Sequence, residues 1–265
     1  MSDYALVLSD EEVARYRMMA ALARADEANA WQSAGIVTGA SVADVGCGPG
    51  ATLLEMAEVV GPTGSVVGVD AEPQAVATAH ALIARSGVGN ATAVTGAADS
   101  TGLAEGGFDV AVMRHVLAHN GGREEAIVAH LARLVRPGGC VYLVDTDMTA
   151  MRTRGTGADL LDMTERYIEF HRGRGNDPQI GLRLGELLDS AGLDVLDHRG
   201  WYTVMPAPQG MRPPPWAARE AMVAAGLATQ EDVDRWQRAL EALDTQEKRP
   251  VWFAPFFTAV GRRPA

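Results

Sequence analysis

Asp44 stands two residues ahead of the first of three glycines at alternate positions, Gly46, Gly48 and Gly50, in the stretch Val-Ala-Asp-Val-Gly-Cys-Gly-Pro-Gly. An apolar run bearing an acid, then the glycines, then an amphipathic stretch over 51–59 spell strand, tight turn and helix. Glycine removes Cβ atoms where the backbone must turn sharply and where a ligand must come close. The N–H groups at the start of the following helix favour a polar or anionic ligand group. The Asp44 carboxylate, inside the strand, suits a cation such as an ammonium. A second acid, Asp70, ends the next strand. A carboxylate there can accept hydrogen bonds from both hydroxyls of a ribose. Capping of the helix that follows in Asp70-Ala71-Glu72-Pro73 is the competing role.

Gly46, Gly48 and Ala51 also satisfy the G-x-G-x-x-G/A pattern of dinucleotide sites, with Asp70 at the ribose position. Asp44 argues against that reading, because a dinucleotide has no use for an acid inside the strand. Pro49 adds to it by stiffening a loop that need not cradle a pyrophosphate.

Two further segments carry polar groups at strand ends. Gly96-Ala97-Ala98-Asp99 follows the third predicted strand. Met113-Arg114-His115-Val116-Leu117-Ala118-His119-Asn120 begins at the end of the fourth. Imidazole is the side chain that ordinarily titrates near neutrality, so His115 is a candidate general base or substrate anchor; a packed, hydrogen-bonded histidine is the alternative. His119 lies four residues on, which is also metal-ligand spacing. The Glu of H-E-x-x-H is absent and no third ligand is evident, so no metal is expected. Asp145 and Asp147 follow the fifth predicted strand, at the end where open α/β sheets place ligands; capping or solvation competes for both.

The elements that must position these groups read as an alternation. Helix is expected over 9–32, strand over 41–45 and helix over 51–60. After the turn 61–64 come strand 65–69, helix 73–86 and strands 92–95 and 108–113. Helix 123–135 is stopped by Arg136-Pro137-Gly138-Gly139 before strand 140–144. Such alternation implies parallel strands with crossover helices. Beyond it, helices are expected at 158–172 and 181–191, separated by a polar break at 173–178. Strands at 193–204 and 251–260 flank a segment that is Pro-rich and then helical, and they fit an antiparallel hairpin at the sheet edge.

The 265 residues carry a formal net charge of −11 and 47% hydrophobic residues. That balance supports a sizeable core and argues against nucleic acid or an anionic membrane as partner, since phosphate binding needs a basic face. Cys47 and Cys140 give no disulfide framework and read as packing residues. No apolar run is long enough to span a bilayer, and residues 1–5 lack the basic-then-apolar pattern of a signal peptide. A cytoplasmic protein is expected.

Residues 42–50, 66–70, 96–99, 108–119 and 134–144 together resemble the class I S-adenosylmethionine-dependent methyltransferases. The likeness is to the type that includes ubiquinone and menaquinone methyltransferases and small-molecule methyltransferases of actinobacterial secondary metabolism. It covers roughly residues 35–150 with good specificity; 151–265 match in layout only. It implies an α/β, Rossmann-like, doubly wound sheet of seven mostly parallel strands with an antiparallel edge strand. One methyltransferase domain over 1–265 is expected. Within it, 1–35 would be a helical cap and 36–150 the cofactor half. Residues 151–205 and 251–265 would form the substrate side, and 206–250 a helical lid.

The same resemblance implies S-adenosylmethionine as cofactor, with S-adenosylhomocysteine as product. It assigns cofactor binding to Asp44, Gly46, Gly48, Gly50, Asp70, Ala71, Ala98, Asp99 and Arg114. Asp99 would face the exocyclic amine of adenine, and Arg114 would meet the cofactor at least through its backbone. The resemblance sets His115 and His119 at the chemistry and Tyr16, Asp147, Tyr167 and Trp201 at the acceptor. It points to methylation of a small organic molecule, with carbon methylation of an aromatic or indole ring, such as indole C3, as the leading reading. O-methylation and quinone-type C-methylation are alternatives. Cofactor binding without methyl transfer and nicotinamide-dependent redox chemistry are readings of other classes. A homodimer through the insertions is compatible with the residues but not demanded by them.

Overall fold

The computed structural model describes residues 10–210 and 212–265. Residues 1–5 and Ser9, the first residue of the expected opening helix, lie outside the described residues. Eight strands are formed: β1 (Ser41–Val45), β2 (Ser65–Asp70), β3 (Ala91–Thr95), β4 (Phe108–Arg114), β5 (Val135–Thr146), β6 (Arg152–Arg154), β7 (Asp194–Pro206) and β8 (Val251–Arg262). They make one sheet in the order β3-β2-β1-β4-β5-β8, with β6 extending the β5 side of β8 and β7 on its other side. β1 to β5 pair parallel, whereas β8 is antiparallel to β5, β6 and β7. The expected doubly wound sheet and terminal hairpin are therefore present. The additional short strand, Arg-Thr-Arg, has no apolar alternation by which to predict it.

The helices are α1 (Asp10–Asp26), α2 (Ala28–Ala34), α3 (Ala51–Val60), α4 (Pro73–Ser86), α5 (Glu124–Leu134), α6 (Ala158–Gly173), α7 (Leu184–Ser190), α8 (Pro214–Ala217), α9 (Arg219–Ala224) and α10 (Gln230–Asp244). Period-two alternation sorts the strand residues onto two faces. Val110 and Val112 of β4, with Tyr142 and Val144 of β5, pack on Trp31 of α2 and Leu53 and Met56 of α3. Ala111, Met113 and Leu143 point the other way, into a core completed by Ile127 and Leu131 of α5 and by Tyr167 and Trp236 of the later helices. A capping box of Thr229 and Asp232 starts α10 within the long connection between β7 and β8.

Three boundaries differ from expectation for local reasons. The opening helix breaks at Glu27, which is 2% exposed, its side chain drawn into the protein by Trp31, Arg114 and Tyr142. β5 starts at Val135 rather than at 140, because Val135 already pairs with Phe108 across a register shift. Helix 181–191 is a 3-10 turn, Ile180–Arg183, followed by α7.

Candidate active site at the carboxyl ends of the strands

The site is built where β1, β2, β4 and β5 end. Gly46, Gly48 and Gly50 all take left-handed backbone, at φ of 81°, 53° and 81°. At Gly46 the requirement is steric as well, since a Cβ would lie 2.3 Å from Cγ2 of Val116. Val116 is brought there by His115, the only non-glycine with positive φ (55°) among the described residues. Glycine loop and β4 terminus thus depend on each other. A non-glycine residue in that region costs on the order of 1–3 kcal/mol and persists where its surroundings over-determine it.

Asp44 sits on β1 opposite Val112, nearly sealed from solvent, and its Oδ2 has no hydrogen-bond partner. Burial pushes its carboxyl up to about 7; Asp70 adds to the rise and Arg114 opposes it. Asp70 clasps the loop: the Gly48 N–H donates to its Oδ2 (2.8 Å) and the Glu72 N–H to its Oδ1 (2.9 Å). Burial raises the Asp70 carboxyl, against those two backbone donors. The acid therefore braces the glycine loop and the turn before α4, whose N-cap is Glu72, while keeping lone pairs for a diol. Ala71 is exposed beside it, and Ala98 is half-buried. Tyr16 of α1 covers the loop, its ring 3.5 Å from where a Cβ of Gly48 would stand.

Two of the expected cofactor residues have ion-pair partners of their own. The Arg114 guanidinium turns to Glu27, with Nη2 at 2.6 Å from Oε1 and Nε at 3.3 Å from Oε2, so its side chain is committed to the α1–α2 junction. Asp99 is gripped on Oδ2 by Arg123 (2.7 Å), whose guanidinium holds it below the usual carboxylate range.

Around the acceptor side, the His115 N–H donates to Val144 O (2.8 Å), and Nδ1 lies 3.9 Å from Oδ1 of Asp145. Nε2 of His115 is buried and has no partner. Asp145 is 1% exposed and steadied by the N–H groups of Ala118 and Thr146. Asp147, by contrast, is a cap: its Oδ1 accepts from Thr149 and Ala150 and its Oδ2 from Gln179. His119 packs on the buried His171 at a ring separation of 4.9 Å. Burial drives His119 down to about 4 and His171 to about 3, so both rings are neutral at physiological pH. Tyr167 is buried edge-on to His171. Trp201 lies beside Phe256 (5.7 Å), which in turn meets the His115 ring (5.7 Å). The indole N–H of Trp201 is also buried without a partner.

Asp44, Gly46, Gly48, Gly50, Asp70, Tyr16 and His115 therefore gather at one end of the sheet. Glu27, His171 and Phe256 join them without having been singled out in the sequence. An acid amid alanines and a tryptophan, in Ala-Asp-Glu-Ala-Asn-Ala-Trp, was the available signal for Glu27. Phe256 is one apolar residue of an apolar strand and gave none. Among the described residues, no group of three or more His, Cys, Asp or Glu could hold a metal. Among the described residues, no helix is long and apolar enough to cross a membrane.

Residues 42–139 match the model of a methyltransferase domain. The chain is 42% identical over 106 residues to nocamycin O-methyltransferase of Saccharothrix syringae, covering 40% of this chain and 37% of that one. It is 30% identical over 112 residues to demethylmenaquinone methyltransferase of Lactococcus lactis subsp. lactis, covering 42% and 44%. It spans well under half the length of these curated relatives. In fold it is similar to a methyltransferase structure from Bacillus halodurans, with TM-score 0.60, 18% identity and coverage of 91% and 100%. The [4+2]-cyclase SpnF is another fold neighbour, with TM-score 0.56, 17% identity and coverage of 94% and 81%.

Proposed function

We propose that this chain, whose residues 42–139 match the model of a methyltransferase domain, is a class I S-adenosylmethionine-dependent methyltransferase that methylates a small organic acceptor held against His115. The observation that carries this reading is the pair of buried, unpartnered atoms at the strand ends, Asp44 Oδ2 and His115 Nε2. The first fits the ammonium of the cofactor's methionine moiety. The second fits the proton of an acceptor hydroxyl. Asp70 suits the ribose diol, and the three left-handed glycines let the backbone approach the ligand. When bound, S-adenosylmethionine supplies a methyl electrophile on a sulfonium and leaves as S-adenosylhomocysteine.

The protein's own part is alignment, exclusion of water and proton transfer. His115 Nε2 accepts the hydroxyl proton of the acceptor. Asp145, with Oδ1 3.9 Å from Nδ1, places a carboxylate beside the imidazolium that forms. Tyr16 closes the loop side, and neutral His119 and His171 wall the site. The likeness to an O-methyltransferase supports an oxygen acceptor. A second reading, methylation at a ring carbon such as indole C3 or a quinone carbon, is favoured by the aromatic row Trp201–Phe256–His115, which suits a planar ring.

Calorimetric titration with S-adenosylhomocysteine and, separately, NADH tests the cofactor half of the proposal. Micromolar binding of the former and none of the latter is expected. NADH binding alone would replace the reading with redox chemistry.

A further inference from the structure

Glu27 is a buried carboxylate that accepts from three side chains. It sits at the α1–α2 break and accepts from Arg114 Nη2 (2.6 Å) and Nε (3.3 Å), Tyr142 Oη (2.8 Å) and Trp31 Nε1 (3.2 Å). Asp44 is paired in register with Val112, and Arg114 is two residues further along β4, so the two side chains share a sheet face one step apart. An arginine at that range is the natural ion-pair partner of a buried aspartate. Oδ2 of Asp44 nevertheless has no partner, because the fork of Arg114 is spent on Glu27.

We propose that Glu27 is a positioning residue for the cationic end of the cofactor: by holding Arg114 at the α1–α2 junction, it keeps Asp44 open to the incoming ammonium. This rests on the reading of Asp44 as the ammonium partner. The charges facing Asp44 are Arg114 from β4 and Asp70 from β2, with the Cys47 thiol from the loop; Glu27 and Tyr142 face Arg114. Around Asp44 the second acid, Asp70, and the one base, Arg114, which is itself paired with Glu27, leave a balance that a cation completes. Without Glu27, Arg114 is free to bond Asp44, lower its carboxyl and take the ammonium's place.

The test is Glu27→Gln in the full chain, titrated on both sides of pH 7 with S-adenosylhomocysteine and with 5′-methylthioadenosine. The latter keeps the adenine, ribose and thioether but has no ammonium. E27Q is expected to lose roughly tenfold affinity for S-adenosylhomocysteine above pH 7, with its pH midpoint lowered by about one unit. Its affinity for methylthioadenosine is expected to stay unchanged. The double variant E27Q/R114Q, which removes the competing cation, is expected to regain affinity, with a midpoint above that of the wild type. An equal loss for both ligands would mark a structural effect and overturn the proposal, as would a double variant no better than E27Q. Should E27Q not fold, the double variant carries the test, and a wild-type midpoint there overturns it. Wild-type binding with an unaffected E27Q refutes the role of Glu27 alone. A wild-type chain with no affinity for S-adenosylhomocysteine removes the Asp44 reading, and this inference with it.

Discussion

His115→Asn is expected to lower turnover roughly 10²–10⁴-fold, the usual worth of a positioned general base, while S-adenosylhomocysteine affinity stays within about twofold. Asparagine is the replacement of choice because it tolerates left-handed backbone, which His115 adopts at φ 55°. An alanine there would add strain and confuse loss of a base with loss of the β4 terminus. Steady-state kinetics with an oxygen acceptor, alongside calorimetry, separate the two effects. Unchanged turnover would reduce His115 to packing against Phe256. Equal loss of binding and turnover would mean that its backbone twist, which seats Val116 against Gly46, is its whole contribution.

Asp44→Asn has the second large effect, with opposite signs on two observables. The Asp44 carboxyl is pushed up to about 7 by burial. A carboxyl whose pKa is higher in the folded than in the unfolded state binds protons more tightly when folded, so stability falls as pH rises between the two values. In the ligand-free protein, ionised Asp44 therefore destabilises the fold across the window from about 4 to about 7 and above it. Removing the charge is expected to stabilise the ligand-free chain at pH 8 by on the order of 1–3 kcal/mol, seen as a higher Tm. The same change should abolish measurable S-adenosylhomocysteine binding. In the wild type, affinity is expected to fall as pH drops below about 7, approaching tenfold per unit, because a protonated Asp44 offers the ammonium no charge. A variant that binds normally, or a Tm that drops at pH 8, would contradict this account of Asp44.

The glycine loop and the strand ends beside it were readable from sequence because their constraints are local. Alternate glycines, an in-strand acid and an acid closing the next strand each have a backbone reason that needs no knowledge of the rest of the chain. The acceptor half depends on pairings far apart in sequence. Trp201 meets Phe256 only because β7 and β8 pair across the long 207–250 connection. Glu27 matters only because Arg114 and Tyr142 reach it from strands about a hundred residues away. Asp145 and Asp147 were indistinguishable by position, since both follow the same strand. Two residues of chain separate an acid beside His115 from one that caps a 3-10 turn. The opening helix read as continuous because its composition is helical throughout; burial of Glu27 interrupts it.

The central claim is methyl transfer to a small acceptor at His115. It is tested most directly by incubating the full chain with S-adenosylmethionine and a panel of hydroxylated aromatic, enolic and indole compounds, with mass spectrometry of the products. The account predicts that at least one acceptor gains a single methyl group, with stoichiometric S-adenosylhomocysteine, and that His115→Asn suppresses this transfer. Tight S-adenosylhomocysteine binding with no methylated product across the panel would contradict it, and would leave a chain that uses this fold without transferring the methyl group.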